Sequence, residues 1–171
     1  PPSVNLPTTA RSQAWQVTLA LLKPDVYRFK PLVAFVESKL AAEGIDIVSR
    51  AEVRFTRQLA MEFYAEHRDK FFYNRLTNYL LCGDTGVYLL AGELAVQRWR
   101  HIIGPTKVYR ALIERPDCLR AAIGLSDTRN GFHGSDSVET AAIEAKFFRT
   151  KFSLSDEFQI NVCSASSTRT V

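Results

Sequence analysis

Two short apolar runs, VTLALL at 17–22 and GVYLLAG at 86–92, constrain the fold of this chain more than any other feature. Each run is too short to cross a bilayer as a helix, which takes about 20 apolar residues. A short continuous apolar run is instead typical of a strand that is buried on both faces. Pro24 ends the first run, because its ring disfavours helix in the residue before it. The sequence therefore predicts two buried strands and no membrane span.

Helices are predicted between and after these strands. Pro31 can begin a helix through LVAFVESKLAAEG, which Gly44 would end. IDIVSRAEVRF alternates well enough for a strand, and further helices are predicted in TRQLAMEFYAEH, FFYNRLTNYLLCG and ELAVQRWRHIIG. The stretch 105–132 has weak periodicity, so we expect a long functional loop there with one turn of helix.

The last strong helix is predicted in DSVETAAIEAKFF at 136–148, where Asp136 and Glu139 have capping-box spacing. This order of elements indicates an α+β or α/β sandwich, in which helices cover one face of a mixed sheet.

The length of 171 residues fits one domain that can bury a core without disulfides or metal. We divide the chain into a flexible N-terminal segment at 1–16, a domain at 17–152 and a C-terminal extension at 153–171. The first segment contains Arg11 and no acid. It could be a trimmed mitochondrial presequence or a disordered tail.

The charge and the cysteines exclude some classes of function. A net charge of +4 suits anionic small molecules, but it is too weak to indicate specific nucleic-acid binding, which usually needs a clustered basic face. Cys82, Cys118 and Cys163 are widely spaced and form neither a CxxC metal pattern nor a disulfide framework. We therefore expect a reducing compartment, mitochondrial or cytoplasmic.

The stretch NGFHGSDS at 130–137 is the strongest candidate for a functional site. Gly131 and Gly134 flank His133 closely and would leave room for a ligand such as phosphate. The helix predicted just beyond supplies free N–H groups and positive potential for an anion. A neutral imidazole is also a competent nucleophile near neutral pH, although the pattern alone leaves a surface or capping role open.

Other chemistries fit the residues less well. A metal site is not expected, because no second His or Cys lies at ligand spacing from His133. A serine hydrolase is excluded because the GxSxG motif is absent. His67 and His101 lie inside helical patterns, and we interpret them as structural residues.

The chain has neither of the common phosphate-binding loops, GxxxxGK[ST] and GxGxxG. It has instead single basic residues near several loops. Lys23 follows a strand, Arg100 precedes GPT, and Arg120 lies in the long loop. Between 98 and 129 Lys and Arg outnumber the acids. Such a segment could bind polyphosphate through forked guanidinium contacts, or it could be an ordinary solvated loop.

Four motifs together resemble the nucleoside diphosphate kinase family from about Thr18 to Phe148: LLKPD, YAEHRDKFF, WRHIIGPT and LRAAIGLSDTRNGFHGSDSVETAAIEAKFF. The variants GPT and DTRN and the long loop are similar to the divergent group II of that family. The resemblance implies an α/β (α+β sandwich) fold with a ferredoxin-like βαββαβ core, in which helices cover an antiparallel four-stranded sheet. It also implies transfer of the γ-phosphate of a nucleoside triphosphate to a nucleoside diphosphate by a ping-pong mechanism, in a homo-oligomer built from dimers.

The resemblance assigns catalytic roles residue by residue. His133 matches the histidine that carries the phosphate, and Glu144 matches the carboxylate that orients the imidazole. Ser135 matches the serine near the phosphohistidine, and Asp136 would orient an arginine. The residues that match those around the phosphates, the sugar and the nucleophile are Lys23, Tyr64, Arg100, Thr106, Arg120 and Asn130.

The resemblance also implies how the rest of the substrate binds. Phe72, with Leu76 nearby, matches the aromatic on which the base stacks, and stacking tolerates any base. Mg²⁺ would arrive bridging the nucleotide phosphates, so the protein itself needs no metal site.

Some positions depart from the family pattern. Val26 follows KPD where a small residue is usual, and Phe71 stands where a proline is expected. The loop from Thr106 to Arg120 is longer than in group I. The alternative interpretation is a weakly active, nucleotide-binding regulatory or scaffold subunit that needs a partner protein.

Overall fold

The computed structural model describes residues 15–160. Its sheet contains β1 (Trp15–Leu22), β2 (Asp46–Val53), β3 (Thr85–Glu93) and β4 (Phe132–Gly134). The strand order is β2-β3-β1-β4, and every neighbouring pair is antiparallel. This arrangement confirms the ferredoxin-like sheet implied by the resemblance. The mixed sheet inferred from the order of elements alone was wrong.

The helices surround this sheet. They are α1 (Pro24–Tyr27), α2 (Lys30–Ala42), α3 (Arg57–Phe63), α4 (Tyr73–Leu80), α5 (Ala95–Ile103), α6 (Val108–Glu114), α7 (Leu119–Ile123) and α8 (Val138–Lys151). A 3₁₀ turn at Ala65–His67 follows α3. Prolines in the first turns of α1 and α2 fit there, because the first helical N–H groups have no partner within the helix.

Helices cover both faces of the sheet, so the expectation of one covered face was wrong. Ala20 and Leu22 of β1 belong to a core cluster that includes residues of α2 and α5. Leu19 and Leu21 point to the opposite face and belong to a second cluster with residues of α3, α4 and α8. Side chains alternate between the faces of a strand, so burial on both faces requires the continuous apolar run seen in the sequence.

The stretch 105–132 contains α6 and α7, so the prediction of a single helical turn was wrong. These helices are short, which limits any periodic signal. Tyr109, Leu112 and Ile113 of α6 are also exposed, so their apolar character does not mark a face turned toward the core. Ala111 of α6 and Leu119 of α7 are buried.

The predicted segment boundaries differ slightly from the described elements. β1 begins at Trp15, two residues before the predicted start of the domain. Phe158, in the predicted C-terminal extension, is buried in the core cluster with α8. The rest of both terminal segments, 1–14 and 161–171, lies outside the described residues, and so does Cys163. Within 15–160, no helix has the length and apolar character that a membrane crossing requires.

Candidate active site

The short strand β4 brings the NGFHGSDS segment beside the end of β1. Leu21 pairs with His133 in this register, and the backbone N–H of Lys23 donates to the Gly131 carbonyl at 2.8 Å. Lys23 comes directly after β1, so both side chains are placed at the same end of the sheet. Two segments more than a hundred residues apart are thereby joined by backbone hydrogen bonds.

The glycines around His133 are required by the packing of the protein. Gly131 has a φ of +80°, which side chains rarely adopt, and a Cβ there would lie 2.8 Å from Val26 Cγ2. A Cβ at Gly134 would lie 2.7 Å from Cδ1 of Trp99. Trp99 Nε1 donates to the His133 carbonyl at 3.0 Å. Val26 and Trp99 fill the space that a side chain at these positions would need, while the backbone of Gly134 lines the cavity, and the expectation of room for a phosphate stays a prediction.

Glu144 of α8 holds the Nε2 edge of the His133 imidazole. Its Oε1 and Oε2 lie 3.0 and 3.1 Å from His133 Nε2. The buried Ser135 donates its hydroxyl hydrogen to Glu144 Oε2 at 2.5 Å. An anionic carboxylate accepts a hydrogen bond from Nε2–H, and the neutral ring with its proton on Nε2 has its lone pair on Nδ1. Within residues 15–160, Nδ1 forms no hydrogen bond.

Ser137 is the N-cap residue of α8, which corrects the capping role expected for Asp136. The hydroxyl oxygen of Ser137 accepts a hydrogen bond from the Thr140 backbone N–H at 3.1 Å. The Asp136 carboxylate instead accepts a hydrogen bond from Arg100 Nη1. A charged partner from α5 therefore takes Asp136 away from the helix terminus.

A cavity of about 830 Å³ opens in front of His133. Most of the predicted site residues line it: Lys23, Tyr64, Phe72, Leu76, Arg100, Thr106, Arg120, Asn130 and His133. Ser135 and Glu144 lie behind His133 and contact it or each other. The fold therefore gathers the predicted residues around one imidazole.

Lys23 is a buried cation in this cavity. Its side chain is 3% exposed, and Nζ donates to Asn130 Oδ1 at 3.1 Å. Asn130 is held in turn, since Nδ2 donates to the carbonyls of Thr106 and Asp127 at 3.3 and 3.1 Å. Burial and the nearby charge of Arg120 lower the pKa of Lys23 to about 7.

Arg120 is a second buried cation. Nη1 donates to the Gly104 carbonyl at 2.6 Å, and Nη2 donates to the Phe132 carbonyl at 3.0 Å. Its buried Nε has no hydrogen-bond partner among the described residues, and burial lowers its pKa to about 10. Neither Arg120 nor Lys23 forms an ion pair with a carboxylate in residues 15–160. Buried charges without counter-ions favour binding of an anion.

Aromatic side chains form another part of the wall. Phe72 and Leu76 are half-buried, whereas Phe71 is 84% exposed. The ring of Phe72 contacts those of Phe71 and His67 edge-on, with centroids 5.3 and 5.7 Å apart. Tyr64 is buried, and its burial together with the Glu144 charge raises the pKa of its hydroxyl. This wall offers a flat apolar surface beside the cations.

Several lining residues were missed by the sequence analysis. His67 and His101 were interpreted as structural, but both line the cavity. Arg115 approaches the two ring nitrogens of His101 at 2.7 and 2.8 Å. His67 lies three residues after Tyr64, a spacing that places side chains on one side of a helical turn. That spacing was an available signal for His67.

Acidic and metal-binding groups are sparse at this site. Among residues 15–160, no group of three or more His, Cys, Asp and Glu side chains is arranged to hold a metal ion. The acids on the cavity wall are Glu66, Asp127 and Asp136. The arrangement suits an anionic ligand that brings any cation with it.

Comparison with protein families gives one match over most of the chain. The family model described as nucleoside diphosphate kinase matches residues 16–154. Nucleoside diphosphate kinase 6 of Xenopus tropicalis is 42% identical over 144 residues, which cover 84% of this chain and 80% of that protein. The human protein of the same name is 40% identical over 141 residues, which cover 82% and 76%. A bacterial nucleoside diphosphate kinase from Desulfovibrio desulfuricans is 36% identical over 141 residues, which cover 82% and 99%.

Solved structures show the same fold. A crystal structure of the Aquifex aeolicus nucleoside diphosphate kinase superposes with a TM-score of 0.76 at 33% identity, and the match covers 86% of this chain and all of that one. The Encephalitozoon cuniculi enzyme superposes with a TM-score of 0.74 at 23% identity, over 86% and 94% of the two chains. At that identity the second likeness concerns the fold alone.

Proposed function

This chain belongs to the nucleoside diphosphate kinase family, and from that premise we propose that it transfers the γ-phosphate of a nucleoside triphosphate to a nucleoside diphosphate through a phosphohistidine at His133. One observation carries the proposal. The His133 imidazole, held at Nε2 by Glu144, faces a cavity whose buried cations, Lys23 and Arg120, have no carboxylate partner in the described residues.

The first half-reaction uses the lone pair on Nδ1 of His133. It attacks the γ-phosphorus, a nitrogen–phosphorus bond forms, and the bond to the oxygen bridging the β-phosphate breaks. The nucleoside diphosphate leaves with that electron pair. Nε2 keeps its proton and donates it in a hydrogen bond to Glu144, whose negative charge stabilises the positive charge that develops on the ring, while Ser135 holds the carboxylate.

The second half-reaction reverses these bonds with a different acceptor. A terminal β-phosphate oxygen of the incoming diphosphate attacks the phosphorus, and the bond to Nδ1 breaks and returns its electron pair to the ring. The first diphosphate must leave before the second binds, which gives ping-pong kinetics.

The cavity supplies positioning and charge stabilisation, which are the main needs of phosphoryl transfer. In this proposal Arg100, Thr106 and Arg120 bind phosphate oxygens. Lys23 and Asn130 reach the ribose hydroxyls and the transferred phosphate, and Tyr64 supports His133. Mg²⁺ enters as part of the nucleotide substrate, which fits the scarcity of acids on the wall.

The aromatic wall would bind the base. Stacking on Phe72, with Leu76 beside it, contributes about 1–3 kcal/mol and does not depend on the hydrogen-bonding edge of the base. We therefore propose that the protein accepts several nucleosides.

Incubation with ATP labelled at the γ-phosphate tests this function. The wild-type protein should acquire acid-labile, alkali-stable label that UDP or GDP removes as labelled triphosphate. His133→Asn should acquire none, although its circular dichroism should match that of the wild type. A wild-type protein that acquires no label from this ATP would contradict the proposal. Nucleotide binding with negligible turnover in isolation would favour the alternative of a regulatory or scaffold subunit that needs a partner protein.

We also propose a homo-oligomer built from dimers. β2 lies at the edge of the sheet, where its backbone can pair with another strand. Val48 on β2 and Phe35 on α2 are large apolar side chains that are exposed in the single chain. Sedimentation velocity should detect a dimer or a larger assembly, and a monomer at all concentrations would contradict this proposal.

A further inference from the structure

Asp25 lies two residues after Lys23, yet the two side chains form no ion pair. Asp25 Oδ1 instead accepts hydrogen bonds from the hydroxyl of Tyr79 and from the Val26 backbone N–H, the latter at 3.1 Å. The negative charge of Asp25 still raises the pKa of Lys23, so it acts without direct contact.

Tyr79 of α4 contacts both members of this pair. Its hydroxyl donates to Asp25, and its ring centroid lies 5.4 Å from Lys23 Nζ. The backbone N–H of Gly131 also faces this hydroxyl. The side chain is 4% exposed, so it has little freedom to turn away. Tyr79 therefore lies between the residues Lys23 and Asp25 and the segment that contains His133.

The position of Asp25 has two opposing consequences for Lys23. A carboxylate in direct contact would pair with the ammonium and compete with phosphate oxygens for its N–H donors. A site with no carboxylate nearby would let burial and Arg120 deprotonate the amine, and a neutral amine binds phosphate weakly. A carboxylate held near Lys23 but out of contact avoids both outcomes.

We propose that Tyr79 is a positioning residue that holds the Asp25 carboxylate out of contact with Lys23, and so keeps a charged ammonium free for the nucleotide phosphates. The inference rests on the proposed function, in which Lys23 binds the substrate. Nothing in the family comparison assigns a role to Tyr79 or Asp25.

Other charged and polar groups around Lys23 also influence its protonation. Arg120 of α7 is the charged side chain that opposes protonation of Lys23. Asn130 is its neutral hydrogen-bond partner. Tyr64, after α3, and His133 of β4 line the same cavity, and the pKa of the Tyr64 hydroxyl is raised, so it stays neutral near pH 7. Asp25 is therefore the acid whose removal should change the charge of Lys23.

The test measures the affinity for Mg·ADP by calorimetry between about pH 5.5 and 9, which requires no turnover. Wild-type affinity should fall as pH rises through the pKa of Lys23. Asp25→Asn should move this fall to lower pH by about one unit, because the favourable charge is lost. Tyr79→Phe should move it to higher pH and weaken binding several-fold at pH 6, because the released carboxylate can pair with Lys23.

The double variant and a matched control complete the test. Tyr79→Phe combined with Asp25→Asn should follow the single Asp25→Asn profile, since no carboxylate remains to be released. Tyr88→Phe is the control. The buried Tyr88 also donates its hydroxyl to a carboxylate, Glu37 at 3.0 Å, but it lies outside the cavity. Its profile should match that of the wild type.

Several results would overturn the inference. One is a Tyr79→Phe profile of affinity against pH that moves in the same direction as that of Asp25→Asn. Another is a loss of affinity in Tyr79→Phe that is equal at every pH. The third is an Asp25→Asn profile that does not differ from that of the wild type. Asp25→Asn provides this test even if Tyr79→Phe fails to fold. A wild type that binds ADP but forms no phosphohistidine would contradict the proposed function and leave this test intact.

Discussion

Both carboxylate oxygens of Glu144 lie at nearly equal distances from Nε2 of His133, 3.0 and 3.1 Å. Glu144 is the seventh residue of α8, whose first turn is fixed by the Ser137 cap. His133 is held by β4 and by the hydrogen bond from Trp99 to its carbonyl. The pairing therefore joins two rigid elements and fixes which ring nitrogen faces the cavity.

Glu144→Gln should slow the labelling of His133 by ATP roughly 10²–10⁴-fold, a range typical of losing a positioned acid–base partner. The glutamine amide can donate to Nε2, which would place the imidazole proton on Nδ1 and remove the lone pair that attacks phosphorus. Single-turnover labelling at fixed pH measures the rate.

Glu62→Gln is the control for this change. Glu62 is also an ion-paired glutamate, 2.7 Å from Lys151 of α8, but it lies outside the cavity. Its labelling rate should stay within about twofold of the wild type, because an exposed pair contributes little. Equal rates for Glu144→Gln and the wild type would contradict the role assigned to Glu144.

Phe72→Ala should weaken ADP binding by about 1–3 kcal/mol, the usual contribution of one stacked base. Binding of inorganic triphosphate, which has no base, should change little. Phe29→Ala removes an exposed phenylalanine outside the cavity and should leave both affinities unchanged. Calorimetry with the two ligands separates the contributions, and parallel losses for both would argue against stacking on Phe72.

The local sequence around His133 predicted the helix just beyond it but not the strand β4, which at three residues is too short to show a periodic pattern. It could not predict the capping residue, because Asp136 is held by Arg100, which is 36 positions away in the sequence. Lys23 and Arg120 were identifiable as cations near loops, but their burial depends on how β1, β4 and α7 pack. The assignment of most lining residues came from the family resemblance.

Helical periodicity also led to a wrong interpretation of two residues. His67 and His101 fit helical patterns, but periodicity does not show whether a helix face meets the core or a cavity. The prediction of a long loop with one helical turn failed for a related reason, since α6 exposes its large apolar residues Tyr109, Leu112 and Ile113 and buries the smaller Val108 and Ala111. Tertiary packing decides these features, and a single sequence does not encode it as a local pattern.

Gly134→Ala should destabilise the fold by about 1–3 kcal/mol, the usual cost of forcing an extra methyl group into a packed site. The new Cβ would lie 2.7 and 2.8 Å from Cδ1 and Nε1 of Trp99. The indole must move, and its hydrogen bond to the His133 carbonyl would be lost. Urea unfolding measures the free energy, and Trp99 fluorescence should report the displacement.

Gly44→Ala provides a comparison for that variant. Gly44 has a φ of +64°, but a Cβ there would meet no atom within 4 Å. Its cost should be about 1–2 kcal/mol from backbone strain alone, without loss of histidine labelling. A Gly134→Ala protein with wild-type stability and labelling would contradict the packing role of this glycine.

Lys23 should make the protein more stable as pH rises from about 7 to 9.5. Burial and Arg120 lower its pKa from 10.5 to about 7, so in this range the unfolded chain binds more protons than the folded protein. The free energy of unfolding then rises with pH, with a limiting slope of about 1.4 kcal/mol per pH unit. Lys23→Met should lose this slope, because a neutral side chain binds no proton in either state. Lys30→Met should keep it, since Lys30 is a surface lysine with a side chain 71% exposed. Urea unfolding at pH 7.5, 8.5 and 9.5 measures the three slopes, and the same slope in wild type and Lys23→Met would show that Lys23 is not the group responsible.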